Sequence, residues 1–322
     1  MYFLVDEFDI NRCNPLWIKE FIGVQQTLFK ASDLKFDHVG PGEDAHISAL
    51  VENVGMSTGE EKVVFYFDGE LAEAKTLTLK PGESETVTFT VENVTAGSHQ
   101  VQINNLSGTL LALHDDEPVL SLQFDEDSGT VAGDSSPYGL EGTVHGEATW
   151  ETGKFGNALR LNGGRVEVPH DALLDGGDEL TLSVWVNLTD PSANQKIVGK
   201  SSIGNGFILG VENGKLYPEL WDAIGTHYTF HSGSIPKDEW THLALTWQSD
   251  GRLIGYVNGE EVENCPASTA PIGRNEHPLI IGGAPWNPEA FKVKGSVDAL
   301  RIYNRALSAK EIQQLYQKNE VE

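Results

Sequence analysis

Asp298 lies inside Val297-Asp-Ala-Leu-Arg-Ile-Tyr-Asn-Arg-Ala-Leu307, whose alternation predicts a half-buried late strand running into a short helix over Ser308–Gln317. A desolvated carboxylate is costly unless it is paired, hydrogen-bonded or bound to a metal. Asp298 therefore needs Arg301, a backbone amide or a cation as its partner. A second set of residues suits a different chemistry. Leu216-Tyr-Pro-Glu-Leu-Trp-Asp222, Thr226-His-Tyr-Thr-Phe-His231 and Pro285-Trp-Asn-Pro288 bring aromatic rings close to acids and imidazoles. Sugar rings lay their C–H faces on aromatic rings, and neighbouring polar groups fix their orientation. Trp221, Tyr228 and Trp286, helped by Glu219, Asp222 and His227, are the candidates for such a platform. The competing reading puts Trp221 and Tyr228 in the core on alternating strand positions. Trp286, flanked by Pro285 and Pro288, reads as a loop residue, whereas Trp185, Trp240 and Trp247 lie in apolar strands.

The rest of the chain limits what these residues can serve. The 322 residues carry 22 Lys and Arg against 48 Asp and Glu, a formal net charge of -26. Such a surface repels phosphate backbones, which argues against nucleic-acid partners. A hydrophobic content of 39% with 9% aromatics is that of a folded protein, and the length allows two domains. Cys13 and Cys265 stand far apart and predict two free thiols. No apolar run is long enough to span a bilayer. The opening Met1-Tyr-Phe-Leu-Val-Asp-Glu lacks the features of a signal peptide, and we read the chain as a fragment of a longer one. The histidines lack zinc-site spacing, His242 reads as a satisfied strand residue, and Gly282-Gly283 as turn glycines. Sequons at Asn93, Asn105 and Asn187 are frequent enough by chance to carry little weight.

The elements that must position these groups are almost all strands. Residues 1–31 suggest a strand near Phe3–Phe8 and a helix opening at Pro15, the remnant of a preceding domain or a clip on the next. Over 32–113, short alternating runs are broken by Asp68-Gly69, Pro81-Gly82 and Gly97, the pattern of an antiparallel sandwich. Val51-Glu-Asn-Val-Gly55, Tyr66-Phe-Asp-Gly-Glu70, Leu79-Lys-Pro-Gly-Glu83 and Ala96-Gly-Ser-His-Gln-Val101 occur there in an order that resembles the CARDB family of immunoglobulin-like modules. Residues 114–118 form an acidic linker. Beyond it, 119–318 hold many short strand candidates, as in a two-sheet jelly roll.

Within that region, Leu122-Gln-Phe-Asp-Glu-Asp-Ser-Gly129, Gly153-Lys-Phe-Gly-Asn-Ala-Leu159, Leu182-Ser-Val-Trp-Val186, Trp240-Thr-His-Leu-Ala-Leu-Thr246 and Tyr256-Val-Asn-Gly-Glu260 occur in order. Together with Val297–Leu307 they resemble a LamG-like jelly roll of the concanavalin A-like lectin/glucanase superfamily. The expected fold class is thus all-β, an immunoglobulin-like sandwich followed by a concanavalin A-like sandwich. The resemblance implies a structural Ca2+ clasping the domain's two ends, held by Asp298 with Asp125, Asp134 and a carbonyl near Gly163. If Asp134 instead caps its own turn, Asp298 takes Arg301 or an amide. Glucanases of this superfamily set acids two and four or five positions apart on one strand. No strand of the jelly roll does so, and Glu7-Phe-Asp9 has only part of the spacing outside that domain. The expectation is therefore a non-catalytic carbohydrate-binding pair from a larger extracellular protein. It would be monomeric, bind a polysaccharide or glycan, and support a glycoside hydrolase. A protein-adhesion module and a cryptic glycan hydrolase are the alternatives.

Overall fold

The computed structural model describes residues 27–114, 116–202 and 204–317. The expected strand at Phe3–Phe8, the helix opening at Pro15 and Cys13 fall outside them. Contacts divide the chain into two compact units, one running up to Val94 together with His99–Leu110, the other holding Thr95–Ser98 and Leu111 onward.

The first unit is a sandwich of two small sheets. Its strands are β1 (Phe29–Lys35), β2 (Ala45–Asn53), β3 (Gly59–Phe67), β4 (Glu70–Leu79), β5 (Ser84–Val91), β6 (Gly97–Ile103) and β7 (Leu106–Ala112). They form the orders β1-β2-β5 and β4-β3-β6-β7. Ala45, Ile47, Ala49 and Val51 of β2 are buried while the residues between them are not, so the period-2 pattern is the core itself. Phe65 and Phe89 meet between the sheets, ring centroids 5.0 Å apart. Asp68-Gly69, both at positive φ, closes the β3–β4 hairpin as the dipeptide predicts.

The second unit is a larger two-sheet sandwich. Its first strands are β8 (Leu120–Leu122), β9 (Val131–Ala132), β10 (Gly142–His145), β11 (Ala148–Thr152), β12 (Asn157–Asn162), β13 (Arg165–Val168), β14 (Glu179–Leu188) and β15 (Gln195–Ser202). There follow β16 (Asn205–Glu212), β17 (Lys215–Trp221), β18 (His227–Thr229), β19 (Trp240–Gln248), β20 (Arg252–Val257), β21 (Glu260–Pro266), β22 (Leu279–Ile281) and β23 (Lys294–Tyr303). Helix α1 (Ala309–Gln317) ends the described chain. One sheet runs β11-β12-β23-β14-β19-β20-β21, with β8 beside β23, and the other runs β18-β17-β16-β15-β22-β13-β10-β9. Leu182, Val184, Leu245 and Trp247 from the first pack against Phe207, Leu209, Leu216 and Ile281 from the second. The fold is all-β, an immunoglobulin-like unit and a concanavalin A-like jelly roll.

Strand β23 departs from simple alternation, and the expected half-buried strand is buried from Gly295 to Tyr303. Its pairing with β14 slips between Ser183 and Trp185, and Ala299 sits at φ 48°. That bulge sets Val297, Leu300 and Ile302 in the inter-sheet core. Asp298 and Arg301 are left to the other face.

Candidate functional site

Alternation decides what the sheet carrying β15–β18 shows on its outer face. Leu216, Leu220 and Tyr228 point into the inter-sheet core, so Tyr217, Glu219 and Trp221 on β17 take the opposite side. Antiparallel pairing sets His227 beside Trp221 and Thr229 beside Glu219, and the Leu216–Ser232 bridge extends the register to Tyr217 and His231. The rings stack as cross-strand pairs. Trp221 and His227 have centroids 4.4 Å apart at an interplanar angle of 3°, Tyr217 and His231 4.2 Å apart at 11°. On the other flank β16 places Gly206 opposite Trp221 and Gly210 opposite Tyr217. Two aromatic–imidazole walls thus stand beside glycines, two residues to either side of Glu219, about 13 Å apart along the strand.

Glu219 organises the space between the walls. The Lys196 ammonium of β15, only 3% exposed, donates to Glu219 Oε2. The same ammonium lies 4.2 Å from the Tyr217 ring centroid and 5.7 Å from that of Phe291. An ion pair this deep loses hydration and needs such extra partners to hold. Burial, then the Glu219 charge, pushes the Tyr217 phenol up to about 12. His227 Nε2 stands 3.9 Å from Glu219 Oε1. At the outer end, His231 Nε2 lies 2.7 Å from Glu212 Oε2, and Asn194 donates to Glu212 Oε1 at 2.7 Å. These bonds, His231 first, hold the Glu212 carboxyl below its usual range. Trp286 and Phe291, each 42% exposed, meet edge-on at 6.3 Å in the loop between β22 and β23.

Trp221, Glu219 and His227 therefore come together on one face, and Trp286 is an exposed loop residue as expected. Tyr228 and Asp222 do not join them. Tyr228 is a core residue, its ring 5.0 Å from Trp247, because it stands one position out of step with His227. Its hydroxyl donates to Asp222 Oδ2 at 2.9 Å. Asp222 is buried and occupied: Ser268 Oγ shares Oδ2, while the Ile224 and Thr226 amides bind Oδ1. Burial alone would raise its carboxyl, but these bonds hold it low. It fixes the turn between β17 and β18. Tyr217, His231, Lys196 and Glu212 were missed. Applying period 2 to Tyr217-x-Glu219-x-Trp221 and His227-x-Thr229-x-His231 would have found the first two and rejected Asp222 and Tyr228.

The acids expected to hold a cation separate in a similar way. Asp298 is fully buried, and its Oδ2 accepts from the Lys154 and Phe155 amides at 2.8 and 3.0 Å. Its Oδ1 is buried without a hydrogen-bond partner. Burial pushes its carboxyl up to about 7, with the Asp125 charge adding to the rise. Asp125 accepts from the Asn157 amide at 2.8 Å on the other side of the same β11–β12 turn. A Cβ on Gly153 would lie 2.6 Å from Asp298 Oδ2, and one on Gly156 2.1 Å from Asp125 Oδ1, so this turn needs both glycines. Asp134 is otherwise engaged. Its oxygens accept from the Ser121, Ser136 and Leu140 amides and from Ser136 Oγ, which makes it the cap of its own turn. Gly163 is a turn glycine facing the Lys292 side chain, a poor neighbour for a cation. Among the described residues no three His, Cys, Asp or Glu side chains cluster as metal ligands. Asp298 thus keeps one buried oxygen without a hydrogen-bond partner, with the Asp125 charge acting on it from the same turn.

Comparison with known proteins agrees with this architecture. Residues 161–313 match the Laminin_G_3 family of the concanavalin A-like lectin/glucanases superfamily, and residues 28–108 match CARDB. The chain carries a CARDB module followed by a concanavalin A-like domain. Comparison with curated proteins gives no match. Among solved structures, the binding domain of Paraclostridial Mosquitocidal Protein 1 is 19% identical with a TM-score of 0.52, over 63% of this chain and 52% of that one. The binding domain of Botulinum Neurotoxin DC in complex with SialylT is 16% identical with a TM-score of 0.50, over 63% and 51%. Domain 4 of AbnA, an extracellular arabinanase from Geobacillus stearothermophilus, in complex with arabinotriose, is 23% identical with a TM-score of 0.49, over 63% and 100%. The chain thus spans about half the length of the two toxin domains, and identities this low speak for the fold alone. No helix among the described residues is long and apolar enough to cross a membrane.

Proposed function

We propose that the concanavalin A-like unit is a non-catalytic glycan-binding domain and the CARDB module its spacer, within a larger extracellular protein. The observation that carries this reading is the outer face of β15–β18, where Trp221 and His227 stack beside Gly206 and Glu219 lies at their foot. A flat indole next to a residue without a side chain, with a carboxylate within reach, is what stacking plus orientation of a sugar requires. That a domain of this fold was solved with SialylT supports the general role and says nothing about which glycan this one takes. The test is an unbiased glycan array followed by titration calorimetry on the full chain. The expected result is a defined set of glycans whose binding is lost or much weakened in Trp221→Ala, with a smaller loss in Trp286→Ala. An array without hits, or binding unaffected by both changes, contradicts the reading.

The same domain is proposed to hold a structural calcium ion through Asp298 and Asp125. What supports it is the unpartnered buried Oδ1 of Asp298 and its closeness to a second acid. A bound cation there would offset the desolvation of the buried Asp298 carboxylate and join the domain's last strand to the segment after its first.

A further inference from the structure

We infer that the loop between β22 and β23 carries a second ring-stacking subsite, an aromatic corner of Trp286 and Phe291 that takes uncharged sugar rings. This rests on the glycan-binding reading above and adds to it a place and a ligand class. Alternation explains how the loop is held. Phe207, Leu209 and Ile281 fill the inter-sheet core, so Ile208 and Ile280 turn to the outer face, where both are fully buried. A Cβ on Gly199 of β15 would stand 3.0 Å from Ile208 Cγ1 and 3.0 Å from Pro285 Cγ. Buried Pro285 therefore lies on the sheet beside Ile208. The Ala284 amide donates to the Ala290 carbonyl at 3.0 Å, the Val293 amide to Gly282 at 3.0 Å and the Lys196 amide to Phe291 at 2.9 Å. A loop pinned this way presents its outward side chains already ordered, which lowers the cost of binding.

Those outward side chains are rings. The Trp286 and Phe291 planes meet at 64°, and an edge-on partner covers at most one face of the indole. Among the described residues no other ring and no cation lies against Trp286, and its Nε1–H has no protein acceptor. The rings of the two walls are more enclosed, since Trp221 stacks on His227 and Tyr217 lies between His231 and the Lys196 ammonium. Phe291 gives an independent sign of use. It stands at φ 53°, where Gly or Asn is at ease and a bulky side chain is strained. Such strain costs about 1–3 kcal/mol and concentrates at functional sites. Burial does not repay it here, because the ring is 42% exposed. Lys196, within 5.7 Å of the Phe291 centroid and 4.2 Å of that of Tyr217, makes the corner continuous with the Tyr217–His231 wall.

The charges around the corner are already matched. Lys196 pairs with Glu219, and Lys292 and Arg165 lie 2.6 and 3.2 Å from Glu289. Glu167 is a further 3.9 Å partner for Arg165. An ionised sugar would find no unpaired charge among them, and a chain of net charge -26 repels an acidic one from a distance. What the corner offers is a flat apolar face and one N–H donor, which suits the C–H face and a hydroxyl of an uncharged ring.

The test is titration calorimetry of the full chain against length-matched neutral oligosaccharides of xylan, glucan, mannan and arabinan and against oligogalacturonates, with thermal unfolding of each variant. Binding is expected in a neutral series, tighter than to oligogalacturonates by about tenfold or more. Phe291→Asn and Trp286→Ala should each weaken it by about three- to tenfold. Asn keeps the left-handed backbone and removes the ring, so the Phe291→Asn midpoint should equal or exceed that of the wild type. A midpoint well below the wild type would make Phe291 a packing residue and overturn its role. Affinity unchanged in both variants overturns the subsite and leaves glycan binding standing. Tightest binding to oligogalacturonates overturns the ligand class. A concentration-dependent dimer in sedimentation that Phe291→Asn dissolves would assign the corner to a second copy of the chain and overturn the proposal. No binding in any series overturns this inference and the broader reading together.

Discussion

His242 shows how much at the residue scale depends on burial. Its Nε2 lies 2.8 Å from Ser183 Oγ, a pairing that activates serine nucleophiles when substrate can reach it. Here the two residues are 0% and 1% exposed, so the pair fills the sheet's covered face. Burial, then the Arg301 charge, lowers the imidazole to about 3. The native histidine is therefore neutral, while the unfolded chain takes up a proton below about 6.5. Stability from this residue is complete above that pH and is lost as pH falls toward 3. Between pH 6.5 and 4.5 the loss is about 2–3 kcal/mol. His242→Gln should flatten that part of the curve, measured by urea unfolding at several pH values. Equal slopes in variant and wild type would contradict it. At the platform, Glu219, Trp221 and His227 were readable because acids and rings crowd a short stretch. Asp222 and Tyr228 were misassigned because crowding in sequence says nothing about which side of a strand a residue takes.

Turns and the terminal helix carry the argument at the element scale. The β11–β12 hairpin is held by Asp125, in the segment after β8, and by Asp298 of β23, both distant from it in sequence. A calcium ion there should raise the thermal midpoint of the full chain over that in EDTA, and Asp298→Asn should abolish the rise. An equal rise in the variant would place the ion elsewhere. Helix α1 opens on Ser308-Ala-Lys-Glu311, with the Ser308 amide donating to Glu311 Oε2 at 2.8 Å, a capping box that marks its start in the sequence. Its last turn is anchored by Tyr316, whose ring stacks on Trp185 at 5.6 Å and 19°. Aromatic contacts of this kind are worth about 0.5–1.5 kcal/mol beyond area burial. Tyr316→Ala should speed amide exchange in α1 while leaving β14 and β19 protected. Exchange rising through the whole domain would show the helix to be part of the central fold. Most long strands were legible from period 2 and apolar content. Strands β15 and β17 were not, since Lys196, Lys200 and Glu219 lie buried in them and read as surface residues. The bulge at Ala299 has no local signature, because pairing with β14 creates it.

For the whole molecule, the order of modules was plain from turn placement and apolar runs, and the family matches agree with it. What the domain binds was not, because that depends on the side chains that the register of β15, β16, β17 and β18 brings to the outer face of one sheet. The central claim is that Trp221, with Gly206 beside it and Glu219 below, holds a sugar ring. Titration calorimetry of the wild-type chain and Trp221→Ala against the best glycan from the array tests it most directly, with thermal unfolding recorded for both. The account predicts at least a tenfold loss of affinity with an unfolding midpoint close to that of the wild type. Unchanged affinity in a folded Trp221→Ala chain would contradict it.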